Sequence, residues 1–114
     1  MAVETELELI TLPEVAQLLA VPITKVHQLL KDGQLVVTQD EQGRRVLPRI
    51  LVAAGAPVKG LASVITLLRD GGYADPEIVD WLLREDDSLP GTPAQALAEN
   101  RGTEVKRRAQ AAAF

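Results

Sequence analysis

Apolar residues recur at helical spacing along most of the chain and change to a strand-like run only once. Val15, Leu18 and Leu19 fall at i, i+3 and i+4, which makes one buried stripe. The spacing predicts a helix from near Pro13, with Thr11 as N-cap and proline in the tolerant first turn. Val21-Pro22 breaks it, because the residue before proline avoids the α region. A second helix is predicted from about Ile23 to Lys31. Ile23, Val26, Leu29 and Leu30 form its inner face, Thr24, Lys25, Gln28 and Lys31 point away, and His27 lies at the flank. Asp32-Gly33 ends it, with Gly33 suited to a left-handed cap. LVVT, DEQG and RRVLP follow, which read as two strands, about Leu35–Thr38 and Arg45–Leu47, around a turn at Gly43.

After the connection ILVAAGAPVKG the pattern is helical again. Leu61, Val64, Ile65 and Leu68 predict a third helix that stops at Gly71-Gly72. Asp75-Pro76 opens a fourth through Ile78, Val79 and Leu82, with Trp81 assigned to the core. An acidic loop, REDDSLPG, comes next. Thr92 and Gln95 form a capping-box pattern that starts a fifth helix over about Pro93–Glu99. Asn100-Arg101-Gly102 stops it, and Thr103 caps a last helix through Val105, Ala109 and Ala112. Two helices, a tight turn and a hairpin give the outline of a winged helix-turn-helix, which usually sets one helix in the DNA major groove. The expected fold class is therefore mainly α: a winged helix-turn-helix with a two-stranded β-hairpin wing over residues 1–55, and a C-terminal helical domain over 56–114.

Composition limits the chemistry. At 114 residues and 46% apolar the chain has material for a globular core, but Trp81, Tyr73 and Phe114 are its only aromatics. That core must be built from Leu, Val, Ile and Ala. The absence of cysteine removes disulfides and thiolate metal sites. No apolar run approaches the roughly 18 residues of a membrane span. The opening MAVETELEL is acidic where a secretory signal would be basic. A cytoplasmic, nucleoid-associated protein is expected, with no membrane partner.

Charge is uneven. The net value is −4, yet residues 21–60 carry +3 and residues 101–114 carry +3, against −4 over 1–20 and −6 over 61–100. The first basic block coincides with the second helix and the hairpin, the parts that would meet phosphates. Thr24, Lys25, His27, Gln28 and Lys31 on the helix, with Arg44 and Arg45 at the wing tip, are the candidate DNA-binding residues. Gln can bond adenine bidentately, Lys can reach guanine or phosphate, and wing arginines suit the backbone or minor groove. His27 is the sole histidine and has no HExxH-type spacing, so no metal is expected. Gly71-Gly72 lacks the lysine of a phosphate loop, and Ser63 and Ser88 lack a nucleophile motif. Neither catalytic residues nor a cofactor is expected.

Leu12 to Pro48, with its EVAQLL helix, a second helix ending in KDG and a wing ending in LP, resembles the excisionase and MerR-type winged helix-turn-helix. Pro22 departs from that group, which often has Ser or Thr there as N-cap. With ITLLRDGGYADPEIVDWLL and the ending EVKRRAQAAAF included, nearly the whole chain is similar to an actinobacterial family of small winged-helix DNA-binding proteins. The resemblance implies a double-stranded DNA partner and a helical C-terminal domain of poorly defined role. The family's mycobacterial member is known as a Ser/Thr kinase substrate, which implies a kinase as a further partner. No phosphoacceptor carries over to a matching position, and Thr5 and Thr11 are the hydroxyls at hand.

The stretch WLLREDDSLPGTPAQALAENRGTEV is more loosely similar to the toxin-binding end of Xre/MbcA/ParS antitoxins. The leading expectation is a sequence-specific or architectural DNA-binding protein, a bacterial transcriptional regulator. The alternative is an antitoxin-like or adaptor-like module that takes a protein partner through the C-terminal helices and binds DNA weakly.

Overall fold

The computed structural model describes residues 8–85 and 91–113. Among them are six α-helices and a three-stranded antiparallel sheet. The chain begins with β1 (Leu9–Thr11), α1 (Leu12–Leu19) and α2 (Ile23–Lys31). β2 (Thr38–Gln39) and β3 (Arg45–Pro48) form the wing, and a 3₁₀ turn covers Arg49–Leu51. The rest is α3 (Leu61–Asp70), α4 (Asp75–Leu83), α5 (Pro93–Ala98) and α6 (Gly102–Ala113). The mainly α winged fold expected from the pattern is what forms.

Both ends of α1 are closed by local hydrogen bonds. At Thr11 the N-cap amide and hydroxyl both donate to Glu14 Oε1, at 3.0 and 2.9 Å. At the other end Ala20 takes φ 56, the left-handed region usually left to glycine. The Val21 amide then reaches Ala16 O at 3.1 Å and the Ala20 amide reaches Gln17 O at 3.2 Å, which satisfies carbonyls that α1 would leave open. Pro22 then stands as N-cap of α2 without a side-chain bond. α2 ends in the same manner. Gln34 N donates to Leu29 O at 2.9 Å and Gly33 N to Leu30 O at 3.2 Å, with Gly33 at φ +75.

The two-stranded wing forms as expected, and β1 adds to it a third strand that the pattern did not predict. β3 is central, with β2 on one side and β1 on the other. Thr38 pairs with Val46 and Gln39 with Arg45, while Leu9, Ile10 and Thr11 pair with Pro48, Leu47 and Val46. Leu35 and Val36, read as strand, are fully buried in the loop that leaves α2. The Leu35 amide still bonds Leu29 O at 3.3 Å, so the chain is closing the helix cap where a ladder would begin.

The hydrophobic core runs through both halves. Val15, Val26 and Leu47 from the first half and Leu61, Leu68, Ile78 and Leu82 from the second belong to one cluster. α3 and α6 run parallel, because Gly60 lies against Gly102 at one end and Gly71 against Ala113 at the other. Arg69 in the last turn of α3 makes a two-pronged bond to Asp75 at the start of α4, both distances 2.9 Å. That pair fixes the turn between the helices.

Several expectations for the second half shift by a residue. Ala74, not Asp75, is the N-cap of α4, and Glu77 Oε1 accepts its amide at 2.9 Å. α6 starts at Gly102, so Thr103 lies inside its first turn, and Ala112 is exposed. Trp81 is half-buried against the core rather than enclosed by it. The Thr92–Gln95 capping box forms as read, with reciprocal bonds of 2.8 and 3.2 Å. Residues 86–90 of the acidic loop, with Ser88, lie outside the described residues, as do Thr5 and Phe114.

Candidate nucleic-acid interface

α2 buries Val26 and Leu29 and leaves Thr24, Lys25, His27, Gln28 and Lys31 exposed. The five sequence-predicted helix residues thus share the solvent side of one helix. Gln28 Nε2 donates to Asp32 Oδ1 at 2.9 Å, which lays the amide along the helix axis. Asp32 places a carboxylate at the end of the face, near Lys31, where it opposes an approaching anion.

The wing is organised by a residue the sequence reading did not single out. Asp40 Oδ1 accepts the amides of Gln42 and Arg44, both at 2.9 Å, and Asp40 Oδ2 accepts Arg44 Nε at 2.8 Å. Gly43 at φ +79 turns the chain between them. Burial alone would raise the Asp40 carboxyl, but the bonds from Arg44 and Gln42 outweigh it and the group ends below its ordinary range. An aspartate opening a DEQG turn is a recognisable signal, since Asp side chains bond amides two residues on. Arg44 is therefore tied at Nε while 61% of its side chain remains exposed.

Arg45 leaves the wing in the other direction. Its Nη2 lies 3.4 Å from His27 Nδ1 on α2. This contact brings the wing against the second helix. Glu14, beneath the wing, is held below its ordinary range by the Thr11 amide first and the Thr11 hydroxyl second, with smaller help from the charges of Arg44 and Arg49.

One assignment on this face is corrected. Ile23, read as part of the inner stripe, is 39% exposed. It opens the helix directly after Pro22, so no preceding turn covers it, and the buried stripe starts only at Val26.

Comparisons with known proteins place this geometry. A family described as "DNA-binding protein Rv2175c, wHTH domain" matches residues 2–52, and "Rv2175c C-terminal domain of unknown function" matches residues 58–113. The DNA-binding protein Rv2175c of Mycobacterium tuberculosis is 41% identical over 116 residues, covering 90% of this chain and 79% of that protein. The chain belongs to the Rv2175c family. The NMR structure of Rv2175c agrees with this fold at a TM-score of 0.84 and 39% identity, over 94% of this chain and 82% of that one. The resemblance to an actinobacterial winged-helix family is thereby established over both halves. Among the described residues no helix is long and apolar enough to cross a membrane.

Proposed function

We propose that this Rv2175c-family protein binds double-stranded DNA through α2 and the wing, and acts at the nucleoid as a regulator of transcription. The observation that carries the reading is the joined surface: five exposed polar side chains on α2, with wing Arg45 reaching His27. In a winged helix-turn-helix that surface meets the major groove, and base edges are read by short and long donors from the helix. Thr24, Lys25 and Gln28 take that role here. Lys31, Arg44 and Arg45 are assigned to phosphates, which position the protein without selecting sequence. Residues 1–55 would form the DNA-binding unit, with 56–114 as its support.

Support for the wing comes from the second half in this reading. α4 packs against β2, and Gly33 at the end of α2 lies so close to Arg69 that a Cβ there would meet Nη1 at 3.1 Å. A second reading gives the C-terminal helices a protein partner. It is favoured by the half-exposed Trp81, which lines a surface hollow with Tyr73, Glu77, Asp80 and Arg84. Thr11 is a poor modification site, because its hydroxyl already donates to Glu14.

The test is a titration of duplex DNA with Lys25→Ala and Gln28→Ala. Each is expected to weaken binding by about 1–3 kcal/mol, the worth of a base contact, with melting unchanged because both side chains are exposed. Parent-like affinity in both variants would remove α2 as the reading helix.

A further inference from the structure

Two large apolar side chains stand open on the described surface, Leu9 at 41% and Ile23 at 39%. Leu9 begins β1, apart from the face considered above. Ile23 is the first residue of α2. Single exposed apolar residues are ordinary, so position has to decide what this one does. The N-terminal residues of a recognition helix are the ones that reach base edges. Ile23 lies one turn before His27 on the same flank, and His27 is the residue that Arg45 of the wing touches. Its other neighbour on the helix surface, Val26, is fully buried, so Ile23 stands where the core-facing stripe runs out toward solvent, beside the exposed Thr24 and Lys25 of the same first turn.

The major groove offers one apolar group, the 5-methyl of thymine, and apolar side chains recognise it by contact. A β-branched side chain suits the task, since its χ1 is already restricted and little freedom is lost on contact. We propose that Ile23 is a specificity-determining residue of the DNA-binding surface and packs on the 5-methyl group of a thymine. This deepens the DNA-binding reading and rests on it. Gln28, five residues further along α2 and likewise exposed, can read an adenine, so the two together would favour A·T-containing sites.

Deoxyuridine differs from thymidine at that methyl alone and gives a direct test. Duplexes are selected from a random-sequence pool with the full chain, and the tightest-binding one is rebuilt with each thymine replaced singly by deoxyuridine. The parent is expected to show a position where replacement weakens binding about fourfold, the equivalent of one buried methyl-sized group. Ile23→Ala is expected to bind both duplexes alike at that position, and Ile23→Val to keep most of the discrimination, with all three proteins melting together. A parent that binds the duplex but tolerates every replacement would overturn the proposal, and so would an Ile23→Ala variant that keeps the parent's loss. Failure of the parent to bind any duplex would instead overturn the DNA-binding reading beneath it.

Discussion

Asp40 sits at the base of the wing turn with one oxygen on two amides and the other on the Arg44 guanidinium. Its folded pKa lies below the ordinary 3.8, so its contribution is complete above that value and is lost as pH falls through the lowered one. Glu14 follows the same sign from an ordinary 4.5. An NMR titration is expected to move the Gln42 and Arg44 amides together, with a midpoint below 3.8. Asp40→Ala is expected to abolish that step and leave those amides unprotected. A midpoint above 3.8 in the parent would contradict the assignment. Among single residues, the outward polar set of α2 was legible because helical period alone separates it from Val26 and Leu29. Ile23 was not, because period cannot say where cover by other elements begins.

At the scale of elements, both ends of α2 and the start of the Thr92 helix were readable from local chemistry: the proline break at Pro22, the glycine cap at Gly33 and the Thr92–Gln95 capping box. β1 was not readable. It is three residues long, and its partner β3 begins 34 residues after β1 ends, so no local pattern encodes the pairing. Leu35-Val36 misled for the opposite reason, since a β-branched apolar run serves a buried loop as well as a strand. Packing between elements gives a further expectation. Leu68 of α3 is fully buried, and Leu68→Ala should cost about 2–5 kcal/mol. That is a large share of the roughly 5–15 kcal/mol that holds a domain together. Trp81→Ala should cost less, because Trp81 is only half-buried. Thermal melts of the two variants check the order, and a larger loss at Trp81 would mean that α4 is seated more deeply than its exposure implies.

For the whole molecule, charge is the deciding quantity. A protein of net charge −4 is repelled by DNA unless its positive residues are gathered where contact occurs. Lys25, Lys31, Arg44 and Arg45 are gathered on α2 and the wing, while the acidic residues of 61–100 belong to the other half. This separation was visible in the sequence. What was not visible is the contact between Arg45 and His27 that makes helix and wing one surface, since the two residues are 18 apart in the chain. The account's central claim is that this surface holds duplex DNA. Its most direct test is affinity for a duplex across a salt series, for the parent and for Lys31→Ala/Arg45→Ala. The logarithm of affinity is expected to fall linearly with that of salt, and the double variant to flatten the slope by about 1.8, since each phosphate contact contributes about 0.9. An unchanged slope, or a parent that does not bind duplex DNA at low salt, would contradict the account.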